Sequence, residues 1–161
     1  MTGGVATAAA GSAPSEAPAG ATAAFCHPTQ CVREAARAVT TERVYGSLDG
    51  RYKQRYPNQL NWNNNGCSIP TSVIEDISPA AADVLRHFGG KFERSCDRHD
   101  FGYRNHGLHG YSRFTVDIRF CDNMRHQCDV LHIDGLPPWL ACRAAANTFY
   151  TVVNLLGGRW W

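Results

Sequence analysis

The chain has 161 residues, 43% of them apolar and 19% charged, with a formal net charge of +2. That length is about one domain, and the balance excludes a wholly disordered chain. The charge is too small to mark a nucleic-acid binder, so no nucleic-acid partner is expected, and there is no run of roughly 18 apolar residues to make a transmembrane helix. Seven cysteines, Cys26, Cys31, Cys67, Cys96, Cys121, Cys128 and Cys142, point to an oxidising compartment more than to a metal cluster.

Residues 1–24 are almost entirely Ala, Gly, Ser, Thr and Pro. Such a segment has too little bulk to bury and is expected to be disordered. Glu16 is its first charge, and Ala21-Thr22-Ala23 fits a small-residue cleavage site. The segment reads as a linker, a pro-segment or the remnant of a signal, and the ordered domain as 25–161. Within it, Pro28 to Val39 has Val32, Ala35, Ala36 and Val39 on one helical face. A weaker helix over Thr41–Arg55 is interrupted at Gly46 and Gly50 and broken by Pro57. Asn61-Trp62-Asn63-Asn64-Asn65-Gly66-Cys67 is dense in turn formers and reads as a loop. Ser78-Pro79 predicts a helix start that runs to His87 or Phe88 and stops at Gly89-Gly90.

From Lys91 to Asn105, residues Phe92, Cys96, His99 and Tyr103 share one helix face. Gly107 to Gly110 ends that helix. A second helix over Arg113–Leu131 repeats Phe114, Asp117, Cys121, Met124 and Cys128 at helical spacing. Joined by a short loop, the two should pack antiparallel. After Pro137-Pro138, a last helix carries Trp139, Cys142, Ala146, Phe149, Val153 and Leu156 and ends at Gly157-Gly158. Alternating strand patterns are scarce, so the domain reads as mainly α.

His99 and Asp117 are the polar residues on these two apolar stripes. A buried carboxylate needs a partner, and across an antiparallel pair that partner is His99. A carboxylate on one imidazole nitrogen fixes the tautomer and leaves the other nitrogen free to take a proton from water. The competing reading is a satisfied polar pair in the core. Asp100 follows His99, about 100° around the helix, and reads either as a solvated surface carboxylate or as a ligand. If Cys96 pairs with Cys67, the loop at 63–66 is drawn beside His99 and Asp100. Carbonyls and a carboxamide beside a carboxylate suit a hard cation such as Ca²⁺.

The run Cys96-Asp97-Arg98-His99-Asp100-Phe101-Gly102-Tyr103-Arg104-Asn105 resembles the signature of the small secreted phospholipase A2 enzymes of bacteria and fungi. Trp62 to Ser68 resembles their calcium loop. Val116-Asp117, with Met124 and Cys128 beyond it, resembles the helix of their second catalytic residue, and Ala141-Cys142 with Phe149-Tyr150 resembles their last helix. The likeness covers about Thr41 to Gly157. It implies a mainly α, disulfide-stapled domain in which two long antiparallel helices carry the active site. It implies hydrolysis of the sn-2 ester of glycerophospholipids at a membrane or micelle surface, with His99 as general base and Asp117 orienting it. It also implies Ca²⁺ held by Asn65, Gly66 and Asp100, and the pairs Cys67–Cys96 and Cys128–Cys142.

One position departs from that family: Asn65 stands where the family has Asp, which removes a charge from the expected site and weakens calcium binding. The alternative reading is therefore a non-catalytic lipid- or protein-binding module on the same fold. Of the remaining cysteines, Cys26 is expected to pair with Cys31, leaving Cys121 as a buried thiol; the alternative is a bond from Cys121 to Cys26 or Cys31. Zinc is a weaker rival, since no C-x-x-C or H-x-x-x-H pair is present. Arg94, Arg98, Arg104, Arg113, Arg119 and Arg125 read as solvated faces or as affinity for anionic lipid. Trp160 and Trp161 read as core closure, a frayed end or an interfacial anchor. A secreted, extracellular monomer is expected.

Overall fold

The computed structural model describes residues 27–42, 48–67, 71–130 and 139–161. The Ala/Gly/Pro-rich segment 1–24 lies outside them, as does Cys26. Pro28 occupies the first turn of α1 (Pro28–Thr41), where its missing N–H is no loss. Helix α2 (Leu48–Arg55) is the remnant of the weaker helix expected over Thr41–Arg55: Glu42 has already left the helix with an extended backbone. Helix α3 (Thr71–Ile77) was not foreseen. Its seven residues are too few to show a clear period, yet Ile74 is buried in the main core. Helix α4 (Pro79–Phe88) begins as its sequence predicts, with the Ser78 hydroxyl accepting from the Ala81 N–H at 3.3 Å. Gly89 and Gly90 do not break the chain; they tighten it into a 3₁₀ turn, Gly89–Lys91, that feeds the next helix.

Helices α5 (Glu93–Arg104) and α7 (Arg113–Val130) are linked by the single turn α6 (His106–His109), which ends at Gly110 with φ 72°. Their pairings run in opposite directions: Gly102 meets Val116, His99 meets Asp117, Ser95 bonds Gln127. That is an antiparallel pair. Helix α8 (Trp139–Leu156) returns along α7, also antiparallel, with Arg113 at Asn154, Arg125 at Asn147 and Arg143 at Asp129. No strand occurs among the described residues, and no helix among them is long and apolar enough to cross a membrane.

Two hydrophobic clusters hold these helices. The larger joins α3, α4, α5, α7 and α8 through Ile74, Leu85, Cys96, Phe120, Met124 and Phe149, with Phe92 just ahead of α5. The smaller packs Ala35, Ala36, Val39 and Leu60 around Phe101, with Trp62 at its edge. The disulfides Cys67–Cys96 and Cys128–Cys142 tie the 61–67 loop to α5 and α7 to α8. Cys31 is disulfide-bonded, and Cys121 is a buried free thiol, raised above its ordinary pKa by that burial.

Two expected stripes shift. Phe114 and Trp139 are exposed, 58% and 57%. On α7 the buried face runs instead through Val116, Asp117, Phe120, Cys121, Met124 and Cys128. Arg98 is no solvated residue. It is 6% exposed and bonds Glu42 at 3.1 Å and the Val39 carbonyl at 2.7 Å, pinning α1 to α5.

Candidate active site

The active face depends on how closely α5 approaches its neighbours. A Cβ at Gly102 would lie 2.7 Å from Val116 Cγ1 and 3.3 Å from Thr40 Cγ2. A mid-helix glycine costs about 1 kcal/mol relative to alanine, but here it lets α5 settle against α7 and α1. Three residues N-terminal to it, His99 points across the gap. Its Nε2 lies 2.9 Å from Asp117 Oδ1. Asp117 is fully buried, and three groups meet it. Beyond His99, Tyr103 Oη donates to Oδ1 at 2.7 Å and Arg113 Nη1 donates to Oδ2 at 3.3 Å. Oriented donors offset the desolvation of a buried carboxylate.

The carboxylate fixes the His99 tautomer, since an acceptor at Nε2 requires the proton there. The ring lies between Tyr103 and Phe120, at centroid distances of 4.3 and 4.5 Å. His99 Nδ1 has no hydrogen-bond partner among the described residues, and His99 lines a cavity of about 550 Å³. This argues against the bland reading of a satisfied core pair, because one imidazole nitrogen remains open to a ligand or water.

The cavity has two characters. Asn65, Gly66, His99 and Asp100 supply its polar lining, and Phe120, Val152, Val153 and Leu156 its apolar lining. Arg104 and Trp160 also border it, and both are exposed. The loop reaches it because it is anchored on both sides. Asn105 accepts from the Asn61 N–H and donates to the Asn61 carbonyl, each at 2.9 Å, and Cys67 is bonded to Cys96. Between these anchors the Asn65 N–H donates to Asp100 Oδ2 at 3.0 Å, laying the loop backbone against the carboxylate. Gly66 has φ 61°, a left-handed backbone that favours glycine.

Asn65, Gly66 and Asp100, the three expected ligands, thus line the same cavity as His99. Their donors are a carboxamide, a carbonyl and a carboxylate. An all-oxygen set fits a hard cation; its single carboxylate gives less charge than a strong calcium site. Among the described residues no three His, Cys, Asp or Glu side chains cluster as a metal cage.

Two residues at the site carry roles that the sequence did not disclose. Tyr103 reads as a core residue, but one helical turn beyond His99 its hydroxyl reaches the same carboxylate. Arg113 reads as a surface cation, but its side chain is only 30% exposed and lies one turn before Asp117. The i,i+4 spacing of each pair was the available signal. The two final tryptophans divide: Trp160 is 57% exposed at the cavity, and Trp161 packs on Tyr103, His106 and His109.

The family model described as prokaryotic phospholipase A2 matches residues 41–157. A secretory phospholipase A2 of Beauveria bassiana (strain ARSEF 2860) is 31% identical over 115 residues, covering 69% of this chain and 50% of the relative. The chain therefore spans about half the length of that curated relative. No solved structure matches the chain.

Proposed function

Because this chain belongs to the prokaryotic phospholipase A2 family, we propose that it hydrolyses the sn-2 ester of glycerophospholipids to a fatty acid and a lysophospholipid. The observation that carries this reading is the state of His99: one nitrogen held by a buried carboxylate, the other open to a cavity with both polar and apolar linings. His99 Nδ1 takes the proton of a water as that water attacks the ester carbonyl. Asp117 stabilises the imidazolium that results, and keeps the ring in register through Nε2. The same proton then passes from Nδ1 to the departing glycerol oxygen. Phe120, Val152, Val153 and Leu156 favour an acyl chain at the reacting centre and exclude bulk water around it. Asn65, Gly66 and Asp100 would hold Ca²⁺, which when bound supplies Lewis-acid polarisation of the carbonyl and a counter-charge to the oxyanion.

The disulfides and the secretory relative support an extracellular setting, with the substrate presented in a phospholipid membrane or micelle. Asn65 favours the second reading, a lipid-binding module with weakened calcium binding, because it leaves Asp100 as the one carboxylate of the expected ligand set. Release of fatty acid from defined phosphatidylcholine and phosphatidylglycerol vesicles, with Ca²⁺ or with a chelator, distinguishes the two. Calcium-dependent release by the wild type, lost in His99→Gln, is the expected result. Vesicle binding without release by the folded wild type overturns the enzyme reading.

A further inference from the structure

The end of α8 and the turn after it touch two of the three groups that meet Asp117, Tyr103 and Arg113. Arg113 Nη1, which donates to Asp117 Oδ2, also donates to the Asn154 carbonyl at 3.0 Å and lies 3.4 Å from the Val153 carbonyl. These belong to the last turn of α8. The chain then enters a 3₁₀ turn, Gly157–Arg159, in which Gly157 is buried directly against Tyr103. A Cβ there would overlap Tyr103 Oη, the atom that donates to Asp117 Oδ1, and would stand 3.4 Å from Arg113 Nη1 and from Tyr103 Cζ. Trp161 meets the Tyr103 ring edge-on at 5.1 Å, and His99 lies 4.3 Å from the same ring.

We propose that residues 157–161 form a positioning element of the hydrolytic site, in which Gly157 and Trp161 set the Tyr103 hydroxyl on Asp117 and Asp117 thereby sets His99. The inference rests on the hydrolase reading and assigns the turn a role in it. Gly157 lines the cavity as Tyr103 does, and Trp161 packs on the Tyr103 ring; the part assigned to both is positioning. They act through a tyrosine confined by His99, by Trp161 and by the backbone at Gly157. Active groups must be held within about 0.5 Å of productive geometry, and a misplacement of about 1 Å costs roughly 10²-fold in rate. Displacing Tyr103 Oη removes a donor from Asp117 Oδ1, the oxygen that also holds His99 Nε2.

The test is a double-mutant cycle of Gly157→Ala and Tyr103→Phe, read as kcat and KM on phospholipid vesicles with Ca²⁺. Gly157→Ala is expected to lower kcat by about 10–100-fold with KM nearly unchanged. In the Tyr103→Phe background the clashing oxygen is gone, so Gly157→Ala should add nothing. Independent losses that multiply, or a Gly157→Ala enzyme with wild-type kcat, overturn the proposal. Should Gly157→Ala fail to fold, Trp161→Leu is the second variant, with the same expected loss of kcat and the same silence when combined with Tyr103→Phe. A crystal structure of the folded variant decides the contact without turnover. Tyr103 Oη should move beyond hydrogen-bond distance of Asp117, and an unchanged 2.7 Å bond refutes the mechanism. Absence of hydrolysis by the wild type overturns the hydrolase reading separately.

Discussion

Replacing Asp117 with Asn keeps the side-chain volume and removes the charge. Three donors meet this carboxylate: His99 Nε2 at 2.9 Å, Tyr103 Oη at 2.7 Å and Arg113 Nη1 at 3.3 Å. A carboxamide has one acceptor oxygen. If that oxygen faces His99 and Tyr103, its NH₂ group opposes Arg113, donor against donor. If the group is reversed, His99 must present an unprotonated Nε2, which puts the proton on Nδ1 and removes the base from the cavity side. A buried polar group left unsatisfied costs about 1–3 kcal/mol, which corresponds to a fall in melting temperature of roughly 3–12 °C. Loss of the oriented base lowers kcat by about 10²–10⁴-fold, with little change in KM because Asp117 does not line the cavity. Initial rates on phospholipid vesicles at saturating Ca²⁺, paired with thermal melting by circular dichroism, give both numbers. A variant with kcat within about threefold of wild type and an unchanged melting temperature refutes the role assigned to this carboxylate.

Gly102→Ala should destabilise by roughly 1–2 kcal/mol, since overpacking of about 1–3 kcal/mol exceeds the alanine gain in helix propensity; Val116→Ala in the same chain should restore much of the loss, and equal urea midpoints for wild type and Gly102→Ala would contradict the close packing at this glycine. Asn65→Asp adds a carboxylate beside Asp100 and should tighten Ca²⁺ binding in calorimetric titration; equal affinities would show that position 65 does not limit the site. Reducing Cys67–Cys96 opens a connection of sequence separation 29, worth roughly 3–4 kcal/mol in the chain-entropy model, and the Cys67→Ala/Cys96→Ala chain should lose that stability in denaturant titration; an unchanged midpoint counts against the staple. His109 is fully buried, and burial holds its pKa below the ordinary 6.5, with His106 and Arg37 adding to the effect against the opposing bond to the Gly102 carbonyl. The unfolded chain therefore binds a proton that the folded ring refuses, and stability should fall as pH drops below 6.5. His109→Asn should be less stable at neutral pH but show a shallower acid slope, and an identical slope would exclude His109 as a contributor.

The sequence made the long helices legible because each has a strong period and clear ends. Ser78-Pro79 marked a cap, and Pro137-Pro138 and Gly157-Gly158 bracketed a helix observed over Trp139–Leu156. His99 and Asp117 stood out as polar residues on apolar faces, and their pairing followed from an antiparallel arrangement. Short elements gave no such signal: α3 has seven residues, and α6 is a single turn. Composition could not reveal Arg98 and Arg113 as inward-facing, because a long cationic side chain buries its stem wherever the head finds acceptors. Those acceptors, the Val39 carbonyl and the end of α8, lie 59 and about 40 positions away in the chain. The α7 stripe failed at Phe114 because the buried face of the first turn passes through Val116 instead, which leaves Phe114 exposed.

The anchoring of the 61–67 loop has a consequence for ion affinity. The loop is hung at Asn61 by two bonds to Asn105, at Trp62 by a ring contact of 4.9 Å with Phe101, and at Cys67 by its disulfide. Between Trp62 and Cys67 the Asn63 N–H is committed to Asn61 Oδ1 and the Asn65 N–H to Asp100. Ordering a residue costs about 1–2 kcal/mol of conformational entropy, and here most of that loss falls on folding, before any ion arrives. A preorganised loop loses less free energy to ordering on binding than a floppier one. At the proposed Ca²⁺ site, the charge that Asn65 lacks would be offset in part by entropy that the fold has already removed.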